Sequence, residues 1–262
     1  MSKLSNYNKF RFKNSSFLIF LIASLFTSPV RAEFESQKRI VEKSRYAFGV
    51  DSLLDSHEYF QSNPSPLYWR VSPYYLPQLT DSSCSLASAT MIVNAALSHQ
   101  AFGVNRHLAS QKELLNQVNN NQWREAVKQF GDGVSLNQLK VYLESALIVY
   151  GVKNVTVTMK LMDHNKEENE RIFSQALQES ETTGKTFIIV NFNQKFVTNK
   201  ESVGHFSPIG AYDIKNQRVL VMDPDRKYYE PYWVPLKLLL KSMSTPDQKG
   251  GYYRGYIVVN IK

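Results

Sequence analysis

The stretch that decides the fold is Cys84-Ser-Leu-Ala-Ser-Ala-Thr-Met-Ile-Val-Asn-Ala-Ala-Leu97. From Ala87 to Leu97 its apolar residues cover nearly the whole circumference of a helix, so this helix belongs in the centre of a domain. Ser82 or Ser83 stands where an N-cap is wanted, which puts Cys84 in the first turn. There a thiol feels unpaired backbone N–H groups and the positive end of the helix dipole, and both favour thiolate over thiol. Cys84 is the only cysteine in 262 residues, so no internal disulfide is available and the core must hold the fold alone. A free cysteine is more often an inert buried residue. Reading it as a nucleophile requires a base and an acid elsewhere in the chain.

Upstream of this helix, Asp51 to Phe60 has helical spacing and ends at the turn Asn63-Pro-Ser-Pro66, and Pro73 and Pro77 predict an extended approach to Cys84. Downstream, Gln111 to Val118 and Trp123 to Phe130 are short helix candidates. Ser135 to Tyr150 is a longer one, with a cap at Ser135 and Gly151 placed to end it. Val155 to Met159 alternates as a strand, and Lys166 to Glu179 is a charged helix. The last third turns to β-branched and aromatic runs, Thr186 to Phe192, His205 to Ile214, Arg218 to Met222 and Tyr252 to Ile261. Helices first and strands later predict an α+β domain of two lobes rather than alternating β-α-β.

Residues 1–32 read as an export signal. Lys3, Lys9, Arg11 and Lys13 precede the apolar run Phe17 to Phe26, and Val30-Arg-Ala32 suits cleavage. The run is too short to span a bilayer, so membrane contact is expected only through this signal, with the periplasm or the exterior as destination. The catalytic domain is then expected over residues 33–262. The full chain carries +8, but beyond residue 32 the balance is 26 Lys and Arg to 23 Asp and Glu. Neither that charge nor any basic and aromatic clustering suggests a nucleic-acid partner.

Two partners for Cys84 stand out. Gly204-His-Phe-Ser-Pro208 supplies a base in His205, and Val219-Leu-Val-Met-Asp223 supplies a carboxylate. A hairpin turning near Lys215-Asn216 brings these two strands back on one another. Register uncertain by a residue or two leaves Asp225 as a rival to Asp223, with Asp213, beside the turn, a weaker one. Gln78, six residues before Cys84, is placed to share an oxyanion with the Cys84 backbone N–H. His57, His99, His107 and His164 lack tight ligand spacing and read as solvated or capping, so no metal site is expected. Tyr228, Tyr229, Tyr232 and Trp233 read as packing.

Gln78 to Asn94, Gly204-His-Phe-Ser-Pro-Ile-Gly-Ala-Tyr-Asp213, the Asp223 strand and Tyr232-Trp-Val-Pro-Leu-Lys-Leu-Leu-Leu-Lys-Ser-Met243 resemble the catalytic domain of phytochelatin synthase. The resemblance runs from about Asp51 to Ile261 and includes the eighteen-residue step from His205 to Asp223. It implies a papain-like fold in which a helical lobe carrying the nucleophile packs on an antiparallel sheet lobe. It also implies Cys84 as nucleophile, His205 as acid and base, Asp223 as orienting carboxylate and Gln78 as oxyanion donor, which decides against Asp225. The implied substrate is glutathione, attacked at its cysteinyl–glycyl amide. By family position, Arg254 would bind a substrate carboxylate and Asp247 the γ-glutamyl amine, with Gly204 beside them.

The resemblance further implies that acylation needs no cofactor, that cadmium or zinc arrives as a glutathione thiolate complex, and that a homodimer is open to the chain. Ser85 departs from the glycine or similarly small residue usual after the nucleophile; its hydroxymethyl either narrows the approach or caps the helix. The sequence ends at Lys262 without the cysteine-rich extension of eukaryotic members, an ending that resembles the shorter bacterial members and sets hydrolysis as the expected dominant outcome over chain growth. The rivals are a papain-like peptidase or amidase with another peptide substrate, and an exported heavy-metal-binding protein.

Overall fold

In the computed structural model, residues 45–100, 107–163, 165–199 and 202–262 are described, and Tyr46–Lys262 form one compact unit. The expected export signal and His164 lie outside the described residues. The strands are β1 (Asp51–Ser52), β2 (Val155–Leu161), β3 (Thr186–Asn193), β4 (Gly204–Asp213), β5 (Arg218–Val221), β6 (Tyr232–Pro235), β7 (Pro246–Asp247), β8 (Tyr252–Tyr253) and β9 (Gly255–Ile261). The helices are α1 (Tyr59–Ser62), α2 (Pro66–Val71), α3 (Cys84–Leu97), α4 (Gln111–Val118), α5 (Asn121–Ala126), α6 (Leu136–Val149), α7 (Lys166–Thr183) and α8 (Leu236–Met243). Among the described residues, no helix is long and apolar enough to cross a membrane.

Seven strands form one sheet in the order β1-β6-β5-β4-β3-β9-β2, every pairing antiparallel, with β7 and β8 as a separate hairpin. The α+β expectation therefore holds. All eight residues of β3 are buried, as befits a central strand covered on both faces. Helix α3 is buried from Ser85 to Leu97, in line with its apolar circumference. It is tied to the sheet where the Ser88 hydroxyl donates to the Phe206 carbonyl of β4 at 3.1 Å. Asn94, also buried in α3, binds both backbone groups of Ala109, at 2.8 and 3.0 Å. Helix α6 begins with a full capping box between Ser135 and Gln138, and Gly151 at φ 71 follows its end.

Three local expectations change. Asp51 to Phe60 is not one helix: Asp51 and Ser52 pair with Trp233 and Tyr232, Leu53–Asp55 form a 3-10 turn, and only Tyr59–Ser62 are α-helical. Sheet pairing at its start outcompetes the helical spacing. Ser72–Tyr74 form a 3-10 turn, so the extended approach to Cys84 begins only at Tyr75. The run Tyr252 to Ile261 breaks at Arg254, whose N–H donates to the Thr245 carbonyl while its own carbonyl accepts from Met162.

The next residue shows how tightly that break is built. A Cβ on Gly255 would stand 2.0 Å from the Lys160 carbonyl oxygen of β2 and 2.9 Å from the Leu161 Cα. Backbone cannot yield as a flexible side chain does. Gly255→Ala is expected to lower stability by about 1–3 kcal/mol or more, read as a fall in the urea midpoint.

Candidate active site

Cys84 opens α3, half-buried, and no side chain caps that helix. Ser83 is the N-cap residue by position, but its hydroxyl is turned away to the Thr80 backbone, accepting from N–H at 2.8 Å and donating to C=O at 3.0 Å. The capping expectation at Ser82 or Ser83 is thus corrected, since the Ser82 hydroxyl binds the Gly131 carbonyl. The first-turn N–H groups beside the thiol therefore keep their donor capacity.

His205 lies on β4, 5% exposed, with its ring edge-on to Phe192 at 5.6 Å. Its Nε2 donates to Asp223 Oδ1 at 2.7 Å, and Asp223 is fully buried. With Nε2 so engaged, Nδ1 is the nitrogen left for Cys84, whose charge acts on the ring. Burial alone draws the imidazole pKa down. The charges of Asp223 and Cys84, with the Asp223 hydrogen bond, outweigh it and hold His205 well above its ordinary 6.5. Burial pushes Asp223 up, but the His205 charge and bonds from His205, Tyr232 and the Asp225 N–H bring it below its ordinary 3.8.

The register explains why Asp223 fills this place. The β4 and β5 ladder shifts by one residue between Ile209 and Ala211 and ends where the Met222 N–H meets the Pro208 carbonyl at 2.9 Å. Pro224 then turns the chain out of the sheet, and Asp225 contributes its N–H, at 2.8 Å from Asp223 Oδ1, rather than its carboxylate to His205. Asp213 stays at the hairpin turn, bound by Asn216 and Arg218. The sequence reading of Tyr232 as packing missed a partner, because the Tyr232 hydroxyl donates to Asp223 Oδ2 at 2.6 Å. The carboxylate raises the phenol pKa well above 10, after burial itself, so Tyr232 stays a donor.

Gln78 is held against the same corner, its N–H donating to the Pro224 carbonyl at 2.8 Å while Tyr75 donates to the Asp223 carbonyl at 2.6 Å. Its Oε1 is buried without a hydrogen-bond partner among the described residues. Gln78, Gly204, His205, Lys195 and Tyr228 line a cavity of about 840 Å³. A second cavity, of about 480 Å³, is lined by Cys84, Ser85, Gly204, Phe206, Asp247 and Arg254. Gly204 is common to both, and a Cβ on it would meet Arg254 Nη2 at 3.1 Å. Glycine at 204 leaves room for the guanidinium against β4.

Arg254 is 5% exposed, with Nη1 donating to the Pro246 carbonyl at 2.7 Å and 3.6 Å from Asp247 Oδ1. Its Nε is buried and unpartnered among the described residues. Asp247 accepts from Asn191 Nδ2 at 3.2 Å and from the Lys249 N–H at 3.2 Å. Asn191 gave no sequence signal; only the strand order brings it here. Lys249 and Asp132 pair at 2.9 Å beside the same cavity. Six of the seven residues singled out by sequence thus line one or both of these cavities, and the seventh, Asp223, is fully buried behind His205. Of the other histidines, His99 binds the Gly184 carbonyl at 3.0 Å, a capping role. Among the described residues no three of His, Cys, Asp and Glu converge as a metal-binding group.

A helix-borne thiol and, on the neighbouring strand, an imidazole bound to a buried carboxylate are the groups from which acyl-transfer chemistry can be built. The chain belongs to the phytochelatin synthase family, whose sequence profile matches residues 51–256. It is 47% identical over 57 residues to glutathione gamma-glutamylcysteinyltransferase 3 of Lotus japonicus, covering 22% of this chain and 12% of that one. It is 35% identical over 79 residues to glutathione gamma-glutamylcysteinyltransferase 1 of Arabidopsis thaliana, covering 30% and 16%. Against the glutathione gamma-glutamylcysteinyltransferase of Schizosaccharomyces pombe the figures are 27% over 128 residues, 49% and 28%. The chain thus matches well under half the length of these curated relatives.

Removing the charge that faces His205 gives the sharpest test of this geometry. Because His205 is raised, its share of stability is complete below pH 6.5 and fades as pH climbs through its folded pKa. Because Asp223 is lowered, its share is complete above pH 3.8 and fades as pH falls through its folded pKa. The difference in melting temperature between the native chain and Asp223→Asn should therefore peak between those values. The same substitution should cost about 100- to 10,000-fold in turnover and move the alkaline limb of the rate profile down. Tyr232→Phe, which keeps the charge, should cost about tenfold.

Proposed function

We propose that this chain is a glutathione γ-glutamylcysteinyltransferase-type enzyme in which Cys84 is the nucleophile, His205 the acid and base, Asp223 the orienting carboxylate and Gln78 an oxyanion donor. The observation that carries the reading is a buried His205–Asp223 pair facing Cys84, with the Asp247 and Arg254 pair in the cavity on the other side of the thiol. Such a pair suits the ammonium and carboxylate of a γ-glutamyl group. The helix-on-sheet meeting of thiol and imidazole supports assigning the fold to the papain-like group.

In the proposed reaction the Cys84 thiolate adds to the carbonyl carbon between the cysteinyl and glycyl units of glutathione. The Cys84 N–H and the Gln78 amide receive the oxyanion. The carbonyl re-forms, the C–N bond breaks, and the His205 imidazolium gives its proton to the glycine nitrogen. A γ-glutamylcysteinyl thioester is left on Cys84. His205, now neutral, takes a proton from the acceptor as it attacks the thioester carbonyl, and the C–S bond breaks to return the Cys84 thiolate. Water yields γ-Glu-Cys, and the amine of a second glutathione yields (γ-Glu-Cys)2-Gly. Water is the acceptor we favour, since Val203 and Gly204 are exposed at the rim of the cavity that His205 faces.

All groups in this scheme belong to the chain, so acylation is assigned no cofactor. Cadmium or zinc enters, in this reading, as a thiolate complex of the substrate. We also assign residues 1–32 to export, into the periplasm or the exterior.

Incubating the protein with glutathione, with and without cadmium, and weighing the products tests the reading. Glycine and γ-Glu-Cys are expected, and neither should form with Cys84→Ala. Glycine release that survives Cys84→Ala would overturn the assignment of the nucleophile.

A further inference from the structure

Asp132 and Lys249 line the cavity that holds Cys84, Asp247 and Arg254, and their ion pair at 2.9 Å joins two stretches of its lining, 131–134 and 246–249. The Asp132 side is fixed, with the Gly133 N–H donating to the Ala126 carbonyl at 3.0 Å and the Gly131 carbonyl accepting from the Ser82 hydroxyl. On the other side the turn between β7 and β8 is wound on Asp247. Its carboxylate accepts from the Lys249 N–H, and its carbonyl accepts from those of Gly250 and Gly251 at 3.2 and 3.0 Å. The backbone of Lys249 is thus set beside Asp247, while its ammonium, on a flexible stem, rests on a carboxylate 83% exposed. A pair so open to water holds weakly. Arg254 is the opposite case, a buried guanidinium with Nη1 spent on the Pro246 carbonyl. Of the residues lining this cavity, Arg254 is the fixed cation and Lys249 the movable one.

Resting on the reaction proposed above, we infer that Lys249 is a second cation for the α-carboxylate of the γ-glutamyl unit, held on Asp132 until that unit arrives. The α-carbon of the unit carries ammonium and carboxylate together. With the ammonium on Asp247, the carboxylate lies one carbon away, within reach of a lysine on the same turn. Its two oxygens offer about four lone-pair sites, more than a guanidinium with one nitrogen already spent can fill. Lys249 leaves Asp132, whose carboxylate turns to water, and pairs with the oxygen that Arg254 does not hold. Asp132 and the substrate are therefore competitors for one ammonium.

The test measures binding without turnover. In protein carrying Cys84→Ala, calorimetric Kd values are taken for glutathione and for γ-aminobutyryl-cysteinylglycine, which lacks only the α-carboxylate. Adding Lys249→Met, which keeps the stem, should weaken glutathione about threefold to tenfold and leave the analogue unchanged. Lys249→Arg should keep most of the affinity. Adding Asp132→Asn should act in the opposite sense, tightening glutathione about twofold to threefold, and should do nothing in the Lys249→Met background. A bridge that merely tied the two stretches together would make both substitutions act alike. Shifts of the same sign for Lys249→Met and Asp132→Asn, an equal loss for the analogue, no change with Lys249→Met, or no binding of glutathione would each overturn the inference. Selective loss together with no glycine release by the native chain would sink the proposed reaction and leave the assignment of Lys249 standing.

Discussion

The constraint on which the rest depends is the burial of a charged His205–Asp223 pair. Taking a carboxylate and an imidazolium out of water costs several kcal/mol each, and their mutual attraction offsets that only when the remaining lone pairs and protons are satisfied. Asp223 meets this condition on every side, with His205 and the Asp225 N–H on one oxygen and Tyr232 on the other. Each partner comes from a different part of the chain. Strand β4 supplies the imidazole, β6 the phenol and the turn after β5 the amide, so the sheet order β6-β5-β4 is a requirement of this pair as much as of the core.

The same corner positions the thiol. Tyr75 and Gln78 dock on the backbone carbonyls of Asp223 and Pro224, so the segment entering α3 is fixed to the backbone of the residue whose carboxylate holds His205. Beyond it, the Ser88 bond to Phe206 fastens α3 to β4 one residue past His205. Attachments on either side of Cys84, one to the turn after β5 and one to β4, leave the thiol little freedom relative to the imidazole. Precision of that kind is what catalysis by positioned groups needs, and it comes here from hydrogen-bonded segments at the ends of regular elements.

What was legible in the sequence was what short range decides. The apolar circumference of α3 announced a buried helix, and Ser135 with Gln138 announced the start of α6, because neighbours along the chain settle both. The Cys84, His205 and Asp223 set was legible through local strings, though the residues alone left Asp225 open. Register could not exclude it, because the shift at Ile209 and Ala211 and the exit at Pro224 together decide which carboxylate meets the ring. Tyr232 and Asn191 were missed for a related reason. Each looks like an ordinary strand residue, and its role exists only once a distant strand has been laid beside it. Ser83 misled in the opposite sense, a good cap residue by type that the Thr80 turn claims first.

Gly204 joins these arguments. As the residue before His205 it lies between the cavity of Arg254 and Asp247 and the cavity of His205 and Gln78. A side chain here would push on Arg254 and would also crowd the wall between the two cavities. In the proposed reaction that wall is where the scissile bond lies, with the acyl half on the side of the guanidinium and the departing amine on the side of the imidazole. The acceptor must then enter from the side the amine has vacated, where the neutral imidazole is already placed to take its proton. Microscopic geometry therefore makes water and a second amine competitors for one cavity, and the fate of the thioester turns on what fills that cavity before water does.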